Sequence, residues 1–360
     1  MVFARGQMGT SEGFSSPASL AATQDAGNWA GLVADIGGTN ARFAYLPGNG
    51  ANIEQVEALP VAKFATPLHA VNAYLAGVRA ALGARYRAPQ QATIAVATAV
   101  AGDCVRWTNS PWVFSQSDLQ AALGLQNLHV LNDFEALALS LPHLQRSQLA
   151  WQGLAPQAHE PGGAGWQTGA MLAVVGPGTG LGVAGLKHGT AGWIALAGEG
   201  GHATLPAHST LEVEVLAHLR RKLDHVSAER LLCGEGLQRL HMAICAVHGR
   251  PTHERASPTA ADIVATGLAD LNSTESLSLN AFCAWLGSFC GNVALTLGAR
   301  GGLYIGGGIV PRLGKRFFQS EFRSRFEAKG RFAPYLATIP TPVIINTEAA
   351  LLGAAYTLRA

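Results

Sequence analysis

From residue 29 onward, apolar and polar positions fall into a regular alternation of short apolar runs and longer amphipathic stretches. Residues 31–35 form an apolar run, a glycine turn follows, and 41–45 alternates around Arg42, so the spacing predicts strand, tight turn, strand. Residues 66–82 carry apolar positions at helical spacing, 92–100 read as a buried strand rich in β-branched residues, and 128–131 as another strand running into a helix over 134–141. The stretch 144–169 is polar and rich in Gln, Pro and Gly, which places a domain boundary near it. The pattern then restarts: an apolar run at 171–175 leads into Gly176-Pro-Gly-Thr-Gly-Leu-Gly182 and a second strand at 183–185. Helices are expected over 210–223, 229–247 and 276–297, strands at 302–305 and 342–345, and a last helix from Thr347. Strands alternating with helices predict an α/β fold.

Composition sharpens this picture at two points. Only 13% of the residues are charged, with 25 Lys+Arg against 23 Asp+Glu, so no basic field exists to meet nucleic acid. Glycine is abundant, 43 of 360 residues where about 25 would be ordinary. The glycines gather at expected strand ends, at 37–38, 176–182, 198–201 and 306–308, which suggests backbone facing a ligand.

The five cysteines, Cys104, Cys233, Cys245, Cys283 and Cys290, contain no CxxC pair and are expected as small buried apolar residues of a reducing compartment. Residues 276–299 carry no charge and are long enough to span a bilayer, yet Ser278, Asn280, Ser288, Asn292 and Thr296 fit a core helix better. Residues 1–28, rich in Ser, Ala and Gly, lack a signal-peptide core and read as a weakly ordered extension.

Asp35-Ile-Gly-Gly-Thr-Asn40 lies between two expected strands. Glycine amides and a Thr hydroxyl in such a turn can cradle an anion, and an acid at the strand end suits a divalent cation that also binds phosphate oxygens. The same residues would serve equally as a plain hairpin turn with a capping Asp. Gly176 to Gly182 repeats the strand, Gly-Thr-Gly turn, strand layout about 140 residues later, which points to a nucleotide clamped between two halves. No GxxxxGK[ST] occurs, and Gly180 to Gly185 fits GxGxxG without opening a helix, so neither a P-loop nor a dinucleotide fingerprint is read.

Asn132-Asp133 follows a buried-type strand, the edge at which open α/β sheets bind ligands. Asp133 can take a proton from an attacking hydroxyl, or simply cap the helix behind it; a cap bond and the helix dipole would lower its basicity. Glu199-Gly-Gly-His202 can bracket polyol hydroxyls or form a structural turn, and Glu229 reads by itself as a capping-region acid. Gly306-Gly307-Gly308 would let an adenosine lie against backbone.

With these residues collected, the chain resembles the bacterial ATP-dependent glucokinase family, within the superfamily of sugar kinases, actin and Hsp70 ATPases. The strings LVADIGGTNARFAYL, TNSPWVFS, LNDFEALALSLP, VVGPGTGLGVAGL, GEGGHATLPA, SAERLLCGEGL, GGLYIGGGIVPR and FEAKGRFAPYL stand in the family's order across residues 29–358. The resemblance implies a two-domain actin-like (ribonuclease H-like) fold with a central cleft. Its small domain would comprise 29–143 plus 345–360, and its large one 144–344.

The resemblance also implies roles for single residues. Asp133 would be the base that deprotonates the 6-hydroxyl of glucose. Asn109, Asn132, Glu199, His202 and Glu229 would bind the sugar. Gly37, Gly38, Thr39 and Asn40 would hold ATP phosphates with Gly178, Thr179 and Gly180. Asp35 would act on Mg²⁺, and Gly306, Gly307 and Gly308 would face adenosine. A cytoplasmic homodimer serving glycolysis, with no membrane or nucleic-acid partner, is implied as well. The cysteine-rich zinc motif of the repressor and kinase group does not follow His202, which disfavours that group.

A kinase for another hexose or amino sugar, or a non-catalytic ATP-binding regulator, remains the competing reading of the residues. A coupled ADP-release assay across glucose, fructose, mannose, galactose and N-acetylglucosamine separates them. The expected outcome is fastest turnover on glucose, whereas ATPase activity indifferent to sugar would favour the regulator.

Overall fold

The computed structural model describes residues 29–48, 52–107, 112–153, 167–250 and 257–358. Two sheets organise them. The first has strand order β3-β2-β1-β4-β7, built from β1 (Gly31–Ile36), β2 (Asn40–Leu46), β3 (Glu54–Pro60), β4 (Gln91–Val96) and β7 (Asn127–Asn132). The second has order β11-β10-β9-β12-β13-β8, from β8 (Leu149–Ala150), β9 (Met171–Pro177), β10 (Leu181–Gly189), β11 (Gly192–Gly198), β12 (Gly302–Ile305) and β13 (Val343–Ile344). A two-stranded ribbon, β5 (Cys104–Arg106) with β6 (Val113–Ser115), completes the strands.

The sheets repeat one plan. In each, three antiparallel strands form a meander, and its first strand pairs in parallel with a later strand that pairs in parallel with another. Burial follows position in the sheet. Central β1 and β4 are almost wholly buried and read as near-continuous apolar runs, whereas edge β3 (EQVEALP) is polar and exposed along its first half. β10 continues as strand through Gly185, so the GxGxxG match opens no helix and carries no dinucleotide site.

The helices are α1 (Pro67–Leu82), α2 (Gln116–Leu123), α3 (Asp133–Ser140), α4 (Thr210–Leu219), α5 (Gly234–Val247), α6 (Ala260–Ala269) and α7 (Thr274–Leu297). Short helices follow, and a C-terminal helix covers Ala349–Thr357. Helix α1 starts on a Thr66 cap with Pro67 behind it and stops at Gly83, whose φ of 53° suits glycine. Helix α5 starts later than the expected 229–247, because Cys233 caps it through Gly236 N–H at 3.3 Å and Glu229 lies in the preceding turn. Helices α2 and α6 and strand β11 carry too little periodicity to be read beforehand.

The uncharged stretch 276–299 is the core helix α7. Its polar residues bond to neighbouring segments: Ser276 and Asn280 accept from Arg316 at 3.0 and 2.9 Å, Ser288 from Arg325 at 3.1 Å, and Asn292 from Lys329 at 2.7 Å. Each cation arrives from the segment folded over the helix, and the polar side chains of the uncharged stretch satisfy it. Among the described residues, no helix is long and apolar enough to cross a membrane. All five cysteines are free thiols; four are buried as expected, but Cys104, on the small ribbon, is exposed.

Helix α3 joins two bodies. Its Ala138, and Leu141 just after its end, pack with Leu172, Val174, Ala184 and Leu186 of the second sheet. The C-terminal helix lays Leu351, Ala354, Ala355 and Leu358 against Val33, Ala44 and Leu46 of the first sheet. These two helices touch at Gly353, where a Cβ would overlap the carbonyl oxygen of Ala136. We expect Gly353→Ala to destabilise the protein by about 1–3 kcal/mol through forced separation of the pair. A thermal melt checks this, and an unchanged midpoint would show that the contact can give way.

Candidate active site

The first turn joins β1 to β2. Gly37 N–H donates to Asn40 O at 3.0 Å, closing the loop, and Val61 N–H binds Thr39 O at 2.9 Å from outside. Asp35 sits one residue before the strand end, opposite Arg42 in the antiparallel register, with Arg42 Nη1 3.5 Å from its Oδ2. Burial pushes the Asp35 carboxyl above the usual carboxylate range, against the pull of that guanidinium. The loop is braced from the ribbon side as well: the indole N–H of Trp107 donates to Ile36 O at 3.2 Å.

The second turn joins β9 to β10, with Gly178 N–H donating to Gly180 O at 2.8 Å and Gly234 N–H donating to Gly178 O at 2.9 Å. Glu229 lies over this hairpin, its Oε2 accepting from Leu181 N–H at 2.8 Å. A Cβ on Gly180 would stand 2.6 Å from the same oxygen, so a larger residue there would displace the Glu229 carboxylate. The turn after β12 closes on the hairpin's other side. Gly306 N–H donates to Val175 O at 2.9 Å, and Gly307, with φ of 76°, lies against Pro177 O.

Asp133 opens α3 at the C-terminal end of β7. Asn132 is the N-cap: its Oδ1 accepts from Phe134 N–H at 2.9 Å, while its Nδ2 donates to Thr98 O at 3.2 Å. Asp133 Oδ1 shares that Phe134 N–H, also at 2.9 Å. The expectation of lowered basicity is overturned. The Asp133 carboxyl is pushed up to about 7, first by burial, then by the Asp35 charge and more weakly by Glu199. One shared amide and a two-turn helix do not offset the loss of water around the carboxylate and two negative neighbours.

Glu199 precedes a short 3₁₀ turn, Gly200–His202. His202 Nε2 stands 3.9 Å from Glu199 Oε2 and 3.8 Å from Glu229 Oε1, too far for direct hydrogen bonds and close enough for one hydroxyl to bridge either pair. Glu229 N–H also donates to Gly201 O at 2.9 Å, which ties its turn to the Glu199 turn. Asp133, Asp35 and Glu199 therefore share one electrostatic neighbourhood, and Glu199, His202, Glu229 and Gly180 one contact chain. Asn109 lies outside the described residues, as do 1–28.

Not every clustered glycine faces open space. Gly178, Gly198 and Gly308 do, but Gly176 and Gly182 leave room for Phe134, Gly306 for Leu137, and Gly200 and Gly201 for Val183 and Leu181. The reading of whole clusters as ligand-facing backbone is corrected accordingly: about half of these positions serve close packing. Trp107 and Phe134 went unread because an aromatic beside a motif carries no signal of what it packs against.

The glucokinase family model matches residues 32–360. The chain is 46% identical to the glucokinase of Chromobacterium violaceum over 91% of its own length and 88% of that protein. The chain belongs to the glucokinase family. It is also 47% identical to the glucokinase of Aromatoleum aromaticum, over 91% of this chain and 94% of that one. Among solved structures, a glucokinase from an Antarctic psychrotroph superposes with a TM-score of 0.78 at 35% identity, covering 91% of this chain and 98% of the other. The repeated meanders are thus the two halves of an actin-like sugar-kinase fold.

A raised carboxylate makes a stability prediction. The contribution of protonated Asp133 is complete below pH 4 and is lost as pH rises through about 7, because above 7 a charge is held where burial disfavours it. Asp133→Asn should therefore gain on the parent as pH rises, by on the order of 3–4 kcal/mol at pH 8 and about 1–2 kcal/mol at pH 5. Melts at both pH values, without nucleotide or magnesium, check this; equal differences at the two would contradict a raised carboxyl.

Proposed function

We propose that Asp133 is the general base in the transfer of the γ-phosphoryl group of ATP to the 6-hydroxyl of D-glucose. ATP-dependent phosphorylation of glucose is the activity of the family to which the chain belongs. The observation that carries Asp133's role is its carboxyl near pKa 7 at the C-terminal end of β7, within electrostatic reach of Asp35 beside the first turn and, more weakly, of Glu199. A base poised near the working pH is ionised in a good fraction of molecules and still accepts a proton readily.

Glu199, His202 and Glu229 hold the sugar hydroxyls, with Asn109 and Asn132 beside them. The bridging distances around His202 favour this, since a hydroxyl both donates and accepts. Asn132 caps α3 with one lone pair of its oxygen and gives one amide hydrogen to Thr98 O, which leaves one acceptor and one donor position for the sugar. The phosphates rest on backbone amides of Gly37, Gly38, Thr39 and Asn40 and of Gly178, Thr179 and Gly180, and adenosine lies along Gly306 to Gly308. Amide cradles bind polyphosphate with little side-chain charge, in keeping with the low charge of the chain.

Among the described residues, no group of three or more His, Cys, Asp or Glu gathers to hold a metal ion. That fits Mg²⁺, which rides on substrate phosphates and needs one or two protein carboxylates. Asp35, buried and beside a second acid, is the residue that would hold it; when bound, the ion supplies positive charge to the phosphate oxygens. The step on the protein side is simple. The 6-hydroxyl oxygen attacks the γ-phosphorus, its proton passes to Asp133, and ADP leaves.

We place residues 29–143 with 345–360 in one domain and 144–344 in the other, closing on glucose to exclude water. A cytoplasmic homodimer acting in glycolysis completes the proposal.

Asp133→Asn should lower kcat by about a hundredfold or more while glucose still binds. In the parent, kcat/KM for glucose should fall about tenfold per pH unit below an apparent pKa near 7. Near-normal turnover of the variant, or a flat profile down to pH 5, would remove Asp133 from the role of base.

A further inference from the structure

The residue after the proposed base does something the chemistry itself does not require. Phe134 leaves the first turn of α3 and lays its ring on the second sheet, at the root of the hairpin that carries Gly178, Thr179 and Gly180. Gly176 and Gly182 face each other across β9 and β10 in the antiparallel register. A Cβ on Gly176 would stand 2.5 Å from the Cζ of Phe134, and a Cβ on Gly182 would overlap the ring. Two cross-strand glycines thus form a slot with the width of one aromatic ring, and Phe134 fills it. Neither glycine has a positive φ, so neither is there for its backbone conformation. The open space that glycine leaves is what the site needs.

One turn further along α3, Leu137 repeats the arrangement, with its Cδ2 at 2.8 Å from a Cβ built on Gly306. The helix that starts with Asp133 is thereby seated on both segments proposed to hold the nucleotide. Asp133 itself belongs to the end of β7, in the first sheet. The hydrogen bond it accepts from Phe134 N–H, shared with the cap at Asn132, stays within its own helix turn. The aromatic ring, on the residue next to the base, is a direct side-chain link to the root of the hairpin.

We propose that Phe134 is a positioning residue for the phosphoryl transfer: seated in the slot of Gly176 and Gly182, it fixes the distance between Asp133 and the phosphate held at residues 178–180. The inference rests on Asp133 being the base. It predicts an effect on turnover rather than on sugar binding, because the Phe134 ring packs on the hairpin and Phe134 meets the proposed sugar ligand Asn132 only through its backbone N–H, which side-chain variants keep. A displacement of about 1 Å between a base and its reacting group costs up to about a hundredfold in rate, so a loosened slot is visible in kcat.

The experiment compares Phe134→Leu, Phe134→Ala, Gly182→Ala and the double variant Gly182→Ala with Phe134→Leu, alongside Asp133→Asn, in the full chain. Expected for Phe134→Ala and Gly182→Ala is a loss of about tenfold or more in kcat with the KM for glucose within about twofold of the parent. Expected also is that Gly182→Ala costs less in the Phe134→Leu background than in the parent, since a smaller side chain leaves space for the new methyl group. A merely structural role would show the same non-additivity in the melting midpoint and would move glucose KM along with kcat, so a kcat loss with KM held is the discriminating result.

Unchanged kcat in both Phe134 variants, or strictly additive losses in the double variant, would overturn the positioning role while leaving the base in place if Asp133→Asn is inactive. Normal turnover of Asp133→Asn would overturn the base itself. Should Gly182→Ala fail to fold, the two Phe134 variants carry the test through the split between kcat and KM.

Discussion

The structure depends on how closely one helix can approach its neighbours. Helix α3 is only eight residues long, yet it bears the proposed base at its first position and touches both sheets and the C-terminal helix. Approach on that many sides demands the absence of side chains on the receiving surfaces. Gly176 and Gly182 receive Phe134, Gly306 receives Leu137, and Gly353 lets the carbonyl of Ala136 come within contact of the C-terminal helix. Interiors pack too densely to absorb an extra methyl group at such points, so these glycines are steric requirements of the active-site geometry.

A second constraint is electrostatic. Asp133 is placed where water is scarce and two other carboxylates are near, and its carboxyl rises to about 7 as a result. The arrangement costs stability at neutral pH and would give the proposed base a useful strength, a usual exchange at sites of acid–base chemistry. The two turns themselves carry no cationic side chain. They present backbone amides, the sugar side offers a histidine spaced between two glutamates, and the neutral composition of the chain follows from that choice.

Much of this was legible beforehand, for identifiable reasons. Strands β1, β4, β9 and β12 are apolar runs because central strands are buried on both faces, and their ends are marked by glycine turns. Asp35, Asp133, Glu199 and His202 stand at strand ends or turns, where a polar residue among glycines is conspicuous. Edge β11 and the short β5 and β6 lack that contrast, since an exposed edge tolerates almost any residue. The start of α5 was misplaced because a cysteine cap is uncommon and the apolar run 231–232 mimics a helical turn.

The sequence by itself determined the duplicated strand–turn–strand halves, the absence of a P-loop, the residue types of the site and its family, because all of these live in local pattern and spacing. Only the tertiary structure decided which glycines face open space and which face a side chain, that the basicity of Asp133 rises rather than falls, and that Glu229 lies over Gly180. Those properties are set by atoms distant in the chain. A carboxylate's basicity depends on the water and charge around it, and a glycine's purpose depends on what occupies the place of its missing Cβ; neither neighbour is named by the residues next to it in sequence.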